Sequence, residues 1–441
     1  MPLIPFARMS KPGLTSRGYS GERLINWFVR PSPGGVAEIV LMGRSGMVGV
    51  ADFGASVRAS IRVGSDIYVA AGGVLWKWNG TSTTNVGTIN DGATYMATSG
   101  QEVAVVVGGV YYVCDGSTTT SYMTGEVTLP RFVTYLRGYF IVAGDAAGRG
   151  DGITWSGVDD ATTFNALDFV FAEGNADALT GLVADHGEIW AFGAETIEVF
   201  YATGNADTAF APNPSQQVEK GAIAGTVAQE DNALFYVGQD RVVYRGTDVI
   251  STREVEEALL EGDIVGGFSF GDRGHRFYAV TVAGRPTLCY DVTTGLWCEF
   301  ATGADWDPWI ATGAVIVDAT QYFTTTTGKL CVQSGYTDDG AVLSAQAVSM
   351  PIVEQGNWMR VSRVIAHVET GTADIGRTPQ VMMQTSRNGR TWSLEKWQGL
   401  ANIGEYWQRA IWRGLGAFKR VQFRFVVTDP VPRDFYGVWY G

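Results

Sequence analysis

The 441-residue sequence has few of the residues on which metal sites and general acid–base catalysis depend. It contains three histidines, His186, His275 and His367, which stand far apart in the sequence and have no second ligand at metal-binding spacing. No GxSxG elbow, Walker loop, HExxH or EF-hand pattern occurs. We therefore predict no catalytic residue, no metal and no cofactor, and we interpret the chain as a non-enzyme.

Cysteines and long apolar runs are also scarce. There are four cysteines, none in a CxxC pair, and each lies in or beside a strand-like run: Cys114, Cys289, Cys298 and Cys331. We interpret them as reduced, buried thiols of a protein made in the cytoplasm. The longest apolar run, residues 103–113, is too short to span a bilayer. Residues 1–7 lack the basic region of a signal peptide, so we expect no membrane insertion.

Short strands joined by glycine turns dominate the middle of the chain. Glycine occurs 57 times and aromatic residues make up 12% of the sequence, a composition that suits many short strands. A strand–turn–strand unit recurs seven times, at residues 67–78, 103–114, 139–155, 189–201, 234–244, 277–290 and 322–332. A β-repeat with a period near 40–50 residues is typical of a propeller, whose blades cover one another's apolar faces. We predict six or seven blades; the alternative is an open run of hairpins in sandwiches.

The two ends of the chain differ from the middle in charge and pattern. Residues 1–50 carry a net charge of +4 and residues 345–441 one of +5, whereas residues 51–344 carry −22. Apolar and polar residues alternate over 361–368, 380–386 and 421–427, as in the strands of a sandwich. We therefore predict an all-β chain with a propeller at 56–340 and a β-sandwich-like domain at 341–441. We expect the N-terminal segment, 1–55, to pack on the C-terminal body.

Two local features interrupt the repeat. Ser251-Thr252-Arg253-Glu254 fits a capping box and predicts a short helix. Residues 208–217 contain two prolines, and we interpret them as an extended loop that serves either as a contact or as a plain connector.

The C-terminal region supplies the candidate site residues. Five basic residues are candidates for an interface with an acidic partner: Arg409, Arg413, Lys419, Arg420 and Arg424. The alternative is that they form the solvated face of amphipathic strands. Asn388 and Gly389 predict a tight turn with positive φ angles, over which Trp392 can pack.

Several stretches resemble one protein family. They are LTGLVADHGEIWAFGAETIEVFYATG at 179–204, VEKGAIAGT at 218–226, YDVTTGLWCEF at 290–300, WRGLGAFKRVQFRF at 412–425 and NWFVRP at 26–31. Their order and spacing resemble those of the packaged-DNA stabilisation proteins, or tail hub (nozzle) proteins, of short-tailed bacteriophages.

The resemblance implies a virion tail protein that forms a six-copy ring below the portal and adaptor rings. Such a ring retains packaged DNA and surrounds the channel through which DNA passes without sequence-specific binding. It also carries or contacts tail fibres and the tail tip. The family has no catalytic residues to transfer to this chain.

Two other functions remain as alternatives. The first is a glycan-binding or glycan-cleaving propeller at the tail tip, which requires paired carboxylates in one pocket. The paired acids of this sequence, such as Asp159 and Asp160, are adjacent, and neighbours on a strand point to opposite faces. The second is a bacterial scaffold propeller unconnected with phage.

Overall fold

The computed structural model describes residues 1–6, 21–32, 37–175, 177–205, 208–369, 371, 378–406 and 408–441. Strands dominate these residues. Four of them precede the repeat region: β1 (Arg23–Ile25), β2 (Trp27–Pro31), β3 (Ile39–Gly43) and β4 (Met47–Asp52).

Most of the remaining strands form four-stranded antiparallel sheets, taken here as blades one to seven. Blades one to three are β5–β8 (Val57–Val63, Asp66–Ala71, Val74–Trp78, Thr83–Thr88), β9–β12 (Thr94–Thr98, Val103–Val107, Val110–Cys114, Thr119–Tyr122) and β13–β16 (Val127–Leu136, Tyr139–Ala146, Arg149–Gly157, Asp160–Phe171). Blades four and five are β17–β20 (Leu179–Asp185, Glu188–Gly193, Ile197–Ala202, Phe210–Pro212) and β21–β24 (Ala228–Glu230, Ala233–Val237, Val243–Arg245, Asp248–Val249). Blade six is β25–β28 (Ile264–Asp272, His275–Val282, Thr287–Asp291, Leu296–Thr302), followed by β29 (Asp307–Pro308). Blade seven combines β30–β32 (Ala311–Val317, Thr320–Thr325, Lys329–Gln333) with β4.

The blades close into a ring. The first strands contact one another in blades one to four and in blades five to seven, and β30 of blade seven contacts β5 of blade one. Blades four and five share a buried apolar cluster. The last blade is completed by β4, which pairs antiparallel with β32 through Val48↔Val332 and Lys329↔Asp52. The fold is thus the predicted propeller. Among the described residues the blade count is seven, and each predicted hairpin supplies the two middle strands of one blade.

Alternation of side chains explains why a middle strand such as β10, which reads VAVVV, is apolar along its whole length. Successive residues of a strand point to opposite faces, and both faces of a blade are covered by neighbours. In β10, Val103, Val105 and Val107 pack in the cluster shared with blade one, whereas Ala104 and Val106 pack in the cluster shared with blade three. Burial on both faces therefore produces the continuous apolar runs of the sequence.

The C-terminal region forms a two-layer sandwich. Its strands are β35 (Ala345–Val348), β36 (Ile352–Val353), β37 (Met359–Val368), β38 (Gln380–Ser386), β39 (Lys396–Gly399), β40 (Arg409–Phe418), β41 (Arg420–Val427) and β42 (Phe435–Tyr440). One layer has the order β2-β3-β42-β37-β40, and the other contains β1-β35-β41-β38-β39. Two short strands, β33 (Thr337–Asp338) and β34 (Ala341–Val342), lie between blade seven and the sandwich.

The N-terminal strands connect the two bodies. Strand β1 pairs parallel with β28 of blade six, through Ile25↔Glu299, and antiparallel with β35 of the sandwich, through Arg23↔Val348. One sheet therefore runs from the propeller into the sandwich. We propose to retain 56–340 and 341–441 as the two domains, with 1–55 shared between them.

Two sequence predictions need correction. The helix α1 (Arg253–Leu259) has Thr252 as its N-cap, so the capping box predicted from Ser251 is one residue early; the Ser251 hydroxyl instead donates to Glu256. Residues 208–217 are not a plain loop, because they include β20 and a 3₁₀-helix at Pro214–Gln216. Proline at the first helical position, with Asn213 as the cap, accounts for that turn.

Candidate assembly surfaces

A buried polar cluster holds the N-terminal segment against the propeller. The Arg44 guanidinium donates to both Asp338 oxygens and to the carbonyl of Ala301, and its Nε donates to Asn26 Oδ1 at 2.7 Å. Both charged side chains are fully buried. Thr302 Oγ1 donates to Asp338 at 2.7 Å. Because the buried guanidinium and carboxylate are both fully hydrogen-bonded, this ion pair fixes the N-terminal segment against blade six.

A second polar cluster joins blade six to the end of the sandwich. Arg273 forms a bidentate ion pair with Asp434, with both N–O distances at 2.7 Å. Arg433 donates to the carbonyls of Leu343 and Tyr336, and burial lowers its pKa to about 10. Trp27 Nε1 donates to the Arg433 carbonyl at 2.9 Å. The propeller, N-terminal segment and sandwich therefore form one connected unit.

The predicted turn in the sandwich is held mainly by a side chain. Asn388 Oδ1 accepts from the backbone N–H groups of Arg390 and Thr391, each at 2.9 Å. Gly389 has a φ of +76°, whereas Asn388 is outside the positive-φ region. The expectation that both residues supply positive φ angles is therefore wrong. Trp392 bridges to Ser386, and its ring lies 4.5 Å from the Arg424 guanidinium.

The five predicted basic residues do not share one surface. Arg409 and Arg413 are exposed on β40, at the edge of one layer. Lys419 is exposed, with its ammonium 5.6 Å from the Trp358 ring. Arg420 and Arg424 lie on β41 of the other layer.

Arg424 has local partners that account for its position. Its Nε donates to Gln384 Oε1 at 2.9 Å, and its guanidinium stacks on Trp392. Burial lowers the pKa of Arg424. This arginine is therefore held within the sandwich, unlike Arg409 and Arg413.

Two further arginines, Arg360 and Arg363, complete a basic surface around Arg409 and Arg413. Both lie exposed on β37, and Arg363 pairs directly with Arg413 across the strands. None of the four arginines forms an ion pair with a residue that the structure describes. Arg360, Arg363, Arg409 and Arg413, with the half-buried residues Ile365, Ile411 and Trp439, are called the arginine face below.

Sequence reasoning missed Arg360 and Arg363. They lie about fifty residues before Arg409 and Arg413, and their proximity follows only from the pairing of β37 with β40. The one local signal is that residues 359–368 and 409–418 contain no acidic residue.

An acidic cleft of about 400 Å³ lies on the rim of the propeller between blades three and four. Its walls are largely apolar and include Phe169, Phe171, Pro212 and Pro214. Glu173 and Glu198 also line it. Phe169 and Phe171 belong to β16, and Pro212 ends β20, which are the outermost strands of these blades. These residues, with Asp177 and Glu195 beside them, are called the rim cleft below.

The rim cleft holds more negative than positive charge. Arg149 pairs with Asp151 and with Glu173, and its guanidinium lies 4.3 Å from the Phe171 ring. In the described chain, Asp177, Glu195 and Glu198 form no ion pair.

Glu198 is the most buried carboxylate of the cleft. It accepts from the backbone N–H of Gly174 at 3.0 Å and is 9% exposed. Burial, together with the nearby charges of Asp177 and Asp151, raises its pKa. A cation entering the cleft would stabilise this carboxylate.

The histidines lie apart in the structure as well. His275 Nδ1 lies 2.8 Å from Asp291 in the core of blade six, and His186 is exposed beside Asp185 and Asn232. His367 packs edge-on against Trp439 at a centroid distance of 4.8 Å. Within the described ranges, no three His, Cys, Asp or Glu residues are grouped as metal ligands would be. The four cysteines are buried as free thiols.

The comparisons with known proteins decide the family. A family model described as the β-propeller of bacteriophage P22 Gp10 matches residues 14–330. A second, described as the β-sandwich of the same protein, matches residues 334–439. The chain belongs to the P22 Gp10 family. This assignment confirms the resemblance to tail hub proteins and the all-β propeller-plus-sandwich fold.

Membership of the Gp10 family makes this chain a structural protein of a phage tail, located in the virion. Among the described residues of this Gp10-family chain, no helix is long and apolar enough to cross a membrane.

Solved structures resemble the Gp10-family chain only at a general level. The WD40 repeats of RRP9 have a TM-score of 0.46 and 10% identity, over 66% of this chain and 98% of that one. The computationally designed Ika8 protein has a TM-score of 0.41 and 14% identity, over 71% and 99%. YCF48 bound to D1 peptide has a TM-score of 0.41 and 12% identity, over 66% and 96%. No curated protein matches the chain at the significance required.

Proposed function

We propose that this chain is a tail hub subunit whose copies form a ring, with six as the expected number, below the portal and adaptor. The ring surrounds the genome-ejection channel and helps to retain packaged DNA. Its neighbours are adaptor or portal-proximal proteins on one side and fibre or tip proteins on the other. No step of this role requires catalysis.

The connection between propeller and sandwich is the observation that supports the role best. A ring under the pressure of a packaged genome needs subunits that do not bend between their domains. Here one sheet crosses the boundary through β1, and the buried Arg44–Asp338 pair lies at the same boundary. A single apolar cluster also includes Phe270 and Phe323 of the propeller with Phe423 and Phe425 of the sandwich.

The charge distribution supports passage of DNA without binding to it. The propeller segment, residues 51–344, carries a net charge of −22. Negative surfaces repel phosphate, so a channel walled by such a segment does not hold the duplex. The same charge gives no support to a sequence-specific DNA contact by the propeller, and nothing in the comparisons favours the glycan alternative.

Native mass measurement of the purified full chain tests the ring. We expect a species at six times the chain mass of 47.5 kDa, alone or after adaptor is added. Images of intact particles should place it below the adaptor, and particles lacking it should lose nuclease-protected DNA. A chain that stays monomeric with adaptor, or a particle that keeps its genome without it, would contradict the proposal.

A further inference from the structure

The arginine face lies on the sandwich, and the rim cleft lies on the side of the propeller away from the sandwich junction. The sandwich joins blade six through β1, and β33 beside it pairs with β4 of blade seven. The rim cleft lies between blades three and four, across the seven-blade ring from that junction. The two complementary surfaces thus belong to different sheets of the chain, one on the sandwich and one on the propeller.

The arginine face is electrostatically unfavourable in the isolated chain. Arg363 and Arg413 occupy directly opposed positions, and Arg409 is opposed by His367. Like charges at opposed positions of a sheet destabilise the pair. Burial, and then the charge of Arg409, lower the pKa of His367, so this histidine does not add a proton readily. Partner carboxylates would relieve the repulsion.

The arginine face is also apolar between its charges. Ile365 pairs with Ile411 on one side and with Trp439 on the other, and all three side chains are half-buried. A phosphate backbone offers no counterpart for this apolar surface, whereas a protein surface can. Arginine and aromatic residues are enriched in protein–protein interfaces.

The rim cleft has the complementary properties. Its phenylalanines and prolines offer apolar surface on which guanidinium groups and the indole can pack. Glu195 is exposed, Asp177 is half-buried and Glu198 is buried. Their carboxylates have no cationic partner among the residues described.

We infer that the rim cleft of one copy binds the arginine face of the next copy. This inference rests on the proposed ring and names the surfaces that would form it. The contact is heterologous, since two different surfaces meet, and such contacts generate closed rings when the rotation between copies fits.

Reciprocal charge reversal tests the inference on the full-length protein. The face variant carries Arg409→Glu and Arg413→Glu, and the cleft variant carries Glu173→Lys and Glu195→Lys. Each alone should raise the concentration for half-assembly by at least about 100-fold, because like charges then meet across the contact. Mixing the two variants should restore the ring. The unchanged face of the cleft variant then meets the unchanged cleft of the face variant, and the reversed face meets the reversed cleft.

Matched controls place the same charge changes elsewhere. Arg253→Glu with Arg390→Glu, and Asp248→Lys with Asp263→Lys, alter exposed residues outside both surfaces and should leave assembly within about twofold of wild type. Circular dichroism of each variant checks folding. If a reversed variant does not fold, Arg409→Gln with Arg413→Gln replaces the face variant and Glu173→Gln with Glu195→Gln replaces the cleft variant, each with a smaller loss expected.

The outcomes separate the inference from the ring itself. Rings that form equally well in both reversed variants would overturn these surfaces and leave the ring intact. A wild-type chain that never assembles, even with adaptor, would overturn both. Binding of a mixed-sequence DNA duplex that the face variant loses, with ring formation unchanged, would assign the arginines to phosphate instead.

Discussion

At the scale of single residues, the most consequential side chain is Arg44. It is fully buried, its charge is balanced by Asp338, and its guanidinium lies 5.5 Å from the Phe300 ring and 5.3 Å from the Trp309 ring. Replacing it by methionine leaves Asp338 buried without a counter-ion. We expect Arg44→Met to lower the free energy of unfolding by about 3–5 kcal/mol, measured by denaturant unfolding.

The double variant distinguishes a lost ion pair from lost packing. Asp338→Leu together with Arg44→Met removes both charges, so the loss should be clearly smaller than for Arg44→Met alone. If the double variant is less stable than Arg44→Met alone, the ion pair stabilises the fold by more than the neutralisation of one buried charge by the other.

A second residue-scale prediction concerns Asn388. Its side-chain oxygen accepts two backbone hydrogen bonds and one from the Thr391 hydroxyl at 3.0 Å. Asn388→Ala should lower the free energy of unfolding by about 1 kcal/mol, while Asn388→Asp keeps the acceptor and should cost less. Equal losses in the two variants on thermal unfolding would show that the acceptor is unimportant.

At the scale of elements, the closure of the propeller depends on the entry of β4 between β32 and β33. Gly46 precedes β4, and a Cβ atom there would lie 2.5 Å from the carbonyl oxygen of Thr337. The Thr337 backbone cannot move aside to make room for the added Cβ atom, as the end of a flexible side chain could. Gly46→Ala should therefore lower the free energy of unfolding by about 1–3 kcal/mol.

Hydrogen exchange should locate the effect of that substitution in β4 and β32. Gly271→Ala is the control, because a Cβ there meets its nearest neighbours at 3.5 Å. Faster exchange confined to blade six in Gly46→Ala, with β32 unaffected, would argue against a closure at β4.

Elements with two buried faces were predictable from the sequence, and elements defined by distant partners were not. Middle strands such as β10 and β11 are largely apolar, and the seven middle pairs appear in the sequence as hairpins. Outer strands such as β12, which reads TTSY, are polar because one side faces solvent. The pairing of β4 with β32 leaves no local signal, because the partners are far apart in the chain.

The same limit applies to the candidate site. Alternation along β40 places Arg409 and Arg413 on the same face of that strand, and alternation along β41 assigns Arg424 to one face of its own strand. Alternation does not reveal, however, which layer of the sandwich each strand joins. Only the sheet order separates Arg424 from the others and brings Arg363 opposite Arg413.

At the scale of the whole molecule, opposite charges on the sandwich and on the rim cleft predict an assembly that depends on ionic strength. Exposed charges are screened within about 10 Å at 0.1 M salt and about 3 Å at 1 M. We expect the ring to dissociate progressively between about 0.05 and 1 M sodium chloride, as followed by sedimentation velocity. A ring that is unchanged across this range would point to a contact that is chiefly apolar.

The position of the N-terminal strands has a consequence for synthesis on the ribosome. Arg23 forms an ion pair with Glu299, which is synthesised 276 residues later. Trp27 donates a hydrogen bond to the Arg433 carbonyl, which is synthesised 406 residues later. At about 5–20 residues per second, the second interval lasts roughly 20–80 s. Strand β2 can pair with β3 soon after both are made, but the contact of Trp27 with the end of the sandwich can form only when the chain is nearly complete. We therefore expect the N-terminal strands to reach their final packing late in synthesis.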